Sequence, residues 1–488
     1  MSSPESEISP RPARRKSLWR RHRVGSLLVT LMLTAVSGAM LYLAMGRPVS
    51  APDWLRAEIE VRTADALGAA SLRFDALDVV LGDGLTPQVR MSNVQLVTDA
   101  GLEIVAFAEL RASLSLEDAL QGVIRPEYIS VSGVFATLRR QADGSFTLSG
   151  GLDLSSPRRQ AATLPQLIEE VDAVLSSPAL AALAVADLQS LTLRIEDVRS
   201  GQAWTVDGGR MHLSREDETL RITSDLALLS GGQGVATLEA NYESRVGETA
   251  ATFGATVTDV AAGDIAALSA PFAWLDVLRA PISGAVRGGV ESDGTLAPLN
   301  ATLAIGAGVI QPTDATRPVP FNAARSYFTY NPEARLLRFD ELSVDSDWIT
   351  AEISGETVLG INENRQLVDL VGQFTSSVFR ANPDGLYPEP ADVEALDMDF
   401  RLALDPFRLD VGEALFEYRG QLLRARGALE ATEEGWQYSV DGNLDGLTPD
   451  RLFALWPERL AIKPRKWMTD NLLGGRLSDL NFAVRGQN

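Results

Sequence analysis

Residues 188–197 read LQSLTLRIED. Leu191, Leu193 and Ile195 point to one side of an extended chain and Thr192, Arg194 and Glu196 to the other, because successive strand side chains alternate between faces. The pattern predicts an antiparallel strand with one face buried and one in water. Comparable stretches follow at short, regular spacing: RITSDLALL (221–229), GVATLEANY (234–242), ATFGATVTDV (251–260), RLLRFDELSV (335–344), MDFRLALDPF (398–407), QLLRARGALEA (421–431) and SDLNFAVRG (478–486). Most are bounded by Gly, Asn, Asp or Pro, the residues that turns require. Upstream, QVRMSNVQLVT (88–98), LEIVAFAELRASLS (102–115) and YISVSGVFATLRR (128–140) also read as strands.

Helical patterns are few. DWLRAEIEVRTADALGA (53–69) gathers Trp54, Leu55, Ile59, Ala66 and Leu67 near one face. Further helices are predicted over 115–122, with Ser115 as N-cap, over 164–184, over 263–278 and over 449–473. Residues 151–163 read as a linker. So few helices cannot cover so many two-faced strands. Either two sheets face one another, or one long sheet curls until its apolar face lines a trough. About 20 strands at roughly 4.8 Å would extend about 100 Å.

Weak internal repetition supports stacked units over unrelated domains. SYFTYNPEARLLRFDELSV and ALFEYRGQLLRARGALEA share an aromatic-x-Tyr strand (Phe328 and Tyr330; Phe416 and Tyr418) followed by Leu-Leu-Arg (336–338; 422–424).

At the other end, residues 24–45 (VGSLLVTLMLTAVSGAMLYLAM) contain no charge and would span roughly 33 Å as a helix. Arg20, Arg21 and Arg23 precede this run, so the positive-inside rule places the N-terminus in the cytoplasm and the bulk outside. A cleaved signal peptide is the competing reading. The run exceeds the ~7–15 residues of such a core, and Pro52 follows the Val49-Ser50-Ala51 site. A retained transmembrane helix is the expectation.

Charge and composition exclude several functions. The net charge is −21, but residues 1–23 hold seven Arg or Lys against two Glu, leaving −26 on the remainder. A surface so acidic repels nucleic-acid phosphates. With no cysteine there is no disulfide, thiolate metal site or thiol nucleophile. His22 and His212 are the only histidines, which removes a multi-histidine metal site and places His212 as an ordinary strand residue. The carboxylate clusters Glu216-Asp217-Glu218 and Glu433-Glu434 read as solvated turns, and SGGQG (230–234) lacks the lysine of a phosphate loop. Neither a catalytic residue, a metal nor a cofactor is expected. Trp274, Trp456 and Trp467 lie near the helical connectors and read as core anchors or as contacts at a lipid mouth.

The order of basic tail, single span, short helix and LSLEDALQGVIRPEYISVSGVFATLRRQADGSFTLSGG (114–151), with its DGSF element at 143–146, resembles the AsmA-like superfamily of Gram-negative envelope proteins. The stretch LWPERLAIKPRKWMTDNLLGGRLSDLNFAVRG (455–486), with Pro464, Trp467 and Leu472, resembles the central repeats of its YhdP branch, although the Pro-to-Trp spacing is shorter. The resemblance implies a mainly β, elongated, repeating antiparallel sheet curled into an apolar groove. It implies an inner-membrane anchor, a periplasmic body and phospholipid as the molecule carried between inner and outer membranes. The family's C-terminal portion, expected to contact the outer membrane, is missing after Asn488, so an incomplete copy is expected.

The chain thus divides into a basic cytoplasmic tail (1–23), a transmembrane helix (24–45), an N-terminal α+β region (53–150), a linker and helix (151–185) and a repeating β-groove (186–488). Leu191, Leu193 and Ile195 are the candidates for lining the groove. A scaffold or assembly factor, pairing client strands along an exposed sheet edge, is the alternative function.

Overall fold

A computed structural model describes residues 29–39, 42, 48–67, 70–81, 87–98, 103–113, 126–141, 146–150, 159–161, 175, 180, 182–198, 201–229, 235–362, 366–418 and 420–487. Alternation along the chain becomes one 25-stranded sheet, joined by a separate three-stranded sheet. Its first strands are β1 (Val49–Ser50), β2 (Ala70–Arg73), β3 (Ala76–Leu81), β4 (Pro87–Thr98), β5 (Glu103–Ser113) and β6 (Tyr128–Arg140). Helix α1 (Asp53–Leu67) packs Leu55 and Ile59 against Leu77, Val89, Met91 and Val94 of this group. Short strands β7 (Phe146–Gly150) and β8 (Arg159–Ala161) branch from β6, so part of the expected linker is paired chain.

From β6 the sheet runs to β9 (Val185–Asp197), β10 (Gln202–Glu216), β11 (Thr219–Leu229), β12 (Val235–Arg245) and β13 (Ala251–Ala261). The chain then leaves the sheet through helix α2 (Ala262–Ala266), a 3₁₀ helix (Ala270–Val277) and β14 (Leu278–Arg279). It returns as β15 (Pro281–Val290) and β16 (Leu299–Ile305), departs again through β17 (Gly308–Ile310) and β18 (Val319–Phe321), and re-enters as β19 (Ala323–Asn331). Strands β14, β17 and β18 form the small sheet. The main sheet continues through β20 (Leu336–Asp345), β21 (Ile349–Ile361), β22 (Leu367–Ala381), β23 (Ala391–Val393), β24 (Ala395–Leu404), β25 (Phe407–Tyr418), β26 (Gln421–Thr432) and β27 (Gly435–Leu444). Helices α3 (Pro449–Leu455) and α4 (Ile462–Asn471) then lead to β28 (Leu480–Gln487).

The sheet is mixed, which corrects the purely antiparallel expectation. β6 and β9 pair in parallel, from Tyr128↔Val185 to Arg140↔Asp197. Parallel neighbours need a crossover of a dozen or more residues, and 141–184 supply that length.

The predicted helix at 53–69 is observed, and the predicted segments at 263–278 and 449–473 each divide into two helices. The predicted helix at 115–122 lies outside the described residues, as does most of 164–184. Residues 29–39 and 42 are helical, and the other positions of the 24–45 segment lie outside the described residues. Among the described residues, no helix is long and apolar enough to cross a membrane.

Two hydrogen bonds reveal the curvature. Arg140 of β6 donates from Nη1 to the Leu268 carbonyl at 3.1 Å, and Trp436 of β27 donates from Nε1 to the Arg317 carbonyl at 2.7 Å. Fifteen strand steps separate β6 from β27 along the pairings, about 72 Å if flat. The off-sheet chain linking the two contacts is much shorter. It runs from Leu268 to Val277, whose carbonyl accepts from the Gln311 amide at 2.8 Å, and on to Arg317, roughly 40 Å at full stretch. The sheet therefore wraps around these segments.

Candidate functional site

Following the pairings residue by residue shows what the inner face is made of. One row crosses fourteen strands: Leu226, Leu238, Val257, Gly284, Leu303, Ser326, Leu342, Ile353, Ser376, Leu396, Phe416, Leu423, Leu444 and Leu480. None of these residues is charged. Next to it, Phe328, Phe339, Gly355, Phe374, Met398, Ala414, Ala425, Gly442 and Phe482 form a second uncharged row. The opposite face carries the ion pairs, such as Arg221–Glu243 at 3.1 Å, Arg401–Asp369 at 2.7 Å and Arg485–Asp441 at 2.8 Å. Alternation along each strand thus adds up to one apolar surface and one charged surface.

Glycines shape the second row. A Cβ on Gly442 would lie 2.1 Å from the Phe482 ring, and one on Gly355 would lie 2.6 Å from the Phe374 ring and 2.0 Å from the Gln373 carbonyl oxygen. Each glycine makes room for a neighbouring ring to lie against the sheet. Phe374 stacks on Phe400, with centroids 4.7 Å apart.

The expected groove residues lie on the same face. Leu193 pairs with Ala136 on one side and Val206 on the other, and Val206 continues to Leu228 and Ala236. Ile195 stands beside Leu138 and Trp204, and Leu191 beside Val134 and Gly209. Leu191 is 7% exposed, while Leu193 and Ile195 keep partial exposure. A Cβ on Gly209 would meet Leu226 at 2.8 Å, Val206 at 3.0 Å and Leu191 at 3.4 Å, so these three side chains converge over it. His212 points to the charged face, with Nδ1 2.7 Å from the Asp187 carboxylate.

The inner face is not open along its whole length. Residues 262–280 and 306–322, the two excursions, cover its middle. Phe272 and Leu275 of the 3₁₀ helix share one core with Ile282, Leu303, Phe328, Leu337, Phe339, Leu359 and Leu370, all nearly or fully buried. Trp274 meets Phe328 and Phe339 edge-on, with centroids 6.4 Å and 5.7 Å apart. Sequence periodicity marked 263–278 only as a helical connector, and nothing in it showed where the connector would dock. The uncovered inner face is thus in two stretches, one around Leu193, Ile195, Leu226 and Leu238, the other around Met398, Val411, Val440 and Val484.

The insert and the sheet beneath it are imperfectly satisfied. Trp274 Nε1, Ser326 Oγ and Thr357 Oγ1 are buried without a hydrogen-bond partner among the described residues. Each such group costs about 1–3 kcal/mol.

The parallel junction carries its own ion pairs, Arg139–Glu196 at 2.7 Å and Arg140–Asp197 at 3.4 Å. Glu196 accepts from Arg194 Nε at 2.7 Å and from Arg139 Nε at 2.8 Å, and these hydrogen bonds lower its carboxyl pKa below the ordinary value. The carboxylate clusters of the sequence stay apart from one another. Glu216 and Glu218 serve Arg221 and Arg245, each at 3.1 Å. Among the described residues, no three His, Cys, Asp or Glu side chains come together as metal ligands would. SGGQG (230–234) lies outside the described residues.

Of the three tryptophans singled out by sequence, Trp274 is inside the insert core, Trp456 packs with Leu444, Leu447 and Leu452, and Trp467 is 64% exposed. No protein-family model, curated protein or solved structure matches this chain.

Proposed function

We propose that this chain is a non-catalytic lipid conduit, anchored in the inner membrane by residues 24–45, whose curled sheet holds phospholipid acyl chains against its uncharged face. The observation that carries the reading is the charge-free row from Leu226 to Leu480, continued toward β6 by Leu228, Val206, Leu193 and Ala136. Acyl chains gain roughly 0.8 kcal/mol per buried CH₂ on such a surface, and headgroups stay in water at the rim. The resemblance of 114–151 and 455–486 to the AsmA-like superfamily supports the same reading, with the body in the periplasm between inner and outer membranes. Passage from one uncovered stretch to the other requires the insert at 262–280 to move.

The test is lipid extraction and mass spectrometry on the full chain purified in detergent, followed by transfer of fluorescent phospholipid between vesicles. Copurified phospholipid and accelerated transfer are expected. Absence of both refutes the conduit.

A second reading, a scaffold for envelope proteins, is favoured by β28. Among the described residues it pairs only with β27, leaving one edge able to accept a client strand. Cross-linking from Asn481 or Arg485 to captured strands, without lipid transfer, would select it.

A further inference from the structure

Helix α4 and its flanks carry a surface that neither the trough nor the core uses. Leu460, Ile462, Trp467 and Leu473 are all exposed, Ile462 at 63%, Trp467 at 64% and Leu473 at 93%. At 100° per residue, Ile462, Lys463, Lys466 and Trp467 fall on one side of α4 together with Asp470. Arg465, Met468 and Leu472 fall on the other. That inner side is held in place: Met468 packs against the cluster of Leu444, Leu447 and Leu452, and Arg465 donates to the Trp456 and Phe453 carbonyls at 3.0 Å and 3.3 Å. The Tyr387 hydroxyl donates to the Leu455 carbonyl at 2.8 Å, tying α3 to the loop after β22. The outward apolar side is therefore presented by a fixed hairpin.

Charge distinguishes this surface from the acidic chain that follows the basic tail. Residues 451–476 contain six Arg or Lys against Glu458 and Asp470, a net of +4 in a chain of net −21. Lys463 and Lys466 are two of the three lysines in the sequence, and neither has a salt bridge among the described residues. Lysines beside exposed Trp, Ile and Leu match a lipid interface, where aromatic rings sit at headgroup level, aliphatic tips enter the acyl layer and ammonium groups reach phosphates. An acidic protein partner would satisfy the lysines but would also need a pocket for each of the four apolar tips.

We infer that the 456–476 hairpin docks on an anionic phospholipid surface, with Ile462, Trp467 and Leu473 inserted and Lys463 and Lys466 on the headgroups. The inference does not depend on lipid occupying the trough. It gives the sheet a membrane contact at β27–β28, many strands away from residues 24–45.

Because the chain has no cysteine, Leu473→Cys creates a single labelling site at a nearly fully exposed position. The full chain carrying an environment-sensitive fluorophore there, held in phosphatidylcholine nanodiscs, is mixed with phosphatidylglycerol-rich vesicles or with pure phosphatidylcholine vesicles. A blue shift and a several-fold rise in emission are expected with the anionic vesicles only. The rise should fall to baseline in Lys463→Glu/Lys466→Glu, whose circular dichroism stays unchanged because both side chains are exposed. It should persist in Leu193→Asp, which alters only the trough. No response to either vesicle overturns the inference, as does an equal response to both. A rise without vesicles that grows with protein concentration overturns it too, in favour of a second copy on this face.

Discussion

Leu275→Ala tests whether the insert over the mid-trough is a separable plug. Leu275 is fully buried, at 0% exposure, between the 3₁₀ helix and the face formed by Ile282, Leu303 and Phe328. Truncating such a leucine costs about 2–5 kcal/mol in transfer and cavity terms. The insert already bears Trp274 Nε1, buried without a hydrogen-bond partner among the described residues. If residues 262–278 open as a unit, their amide exchange should accelerate by about 30- to 5,000-fold, at 1.36 kcal/mol per tenfold, while β20–β22 keep their protection. Phospholipid transfer should rise in the same variant. The measurement is hydrogen exchange by mass spectrometry alongside the vesicle-transfer assay. Equal acceleration in the insert and in β20–β22 would refute the reasoning, because the insert would then be part of one cooperative core and the mid-trough permanently filled.

Leu193→Asp places a carboxylate in the uncharged row between Ala136 and Val206, and should abolish copurified phospholipid in a protein whose circular dichroism is unchanged; retained lipid removes Leu193 from the trough. Gly442→Ala pushes the Phe482 ring off the sheet and should lower stability by about 1–3 kcal/mol, read as a reduced melting midpoint, whereas Gly201→Ala, where a Cβ meets nothing within 4 Å, tests the cost of positive φ alone. The depressed pKa of Glu196 means that its bonds to Arg139 and Arg194 stabilise the fold above the unfolded carboxyl value of about 4.3. That stabilisation is lost as pH falls through the lower folded value, so acid should loosen the β6–β9 junction, and Glu196→Gln should flatten this part of the pH–stability curve.

Much of the sheet was readable because water faces one side of each strand. Leu191, Leu193 and Ile195 alternate with Thr192, Arg194 and Glu196, and the paired strands place all three on the apolar face. The Phe328 and Phe416 repeats both form hairpins with their aromatics inward. Their registers differ: Tyr330 pairs with Leu337, whereas Tyr418 pairs with Gln421, because the first loop is longer. What periodicity could not supply was anything decided between distant segments. The parallel β6–β9 pairing depends on where a long crossover returns, and local alternation is the same for either direction. Docking of 262–280 onto the middle of the apolar face is equally nonlocal, since an apolar connector can bury itself against any apolar face. Trp274 and Trp467 look alike in sequence, both beside helical connectors; one is inside a core and the other in solvent.

Between β9 and β28 each strand of the main sheet bonds to its neighbours along the chain, apart from the two excursions and the short β23. Such a sheet behaves as a ruler graduated in hairpins. Each added pair of strands extends it by about 10 Å while leaving the cross-section and its two faces unchanged. Reach can therefore change by duplicating or deleting hairpins such as β25–β26, with no redesign of the apolar face. The insert is the fixed mark on that ruler, since it engages many graduations at once and resists any change in their number beneath it.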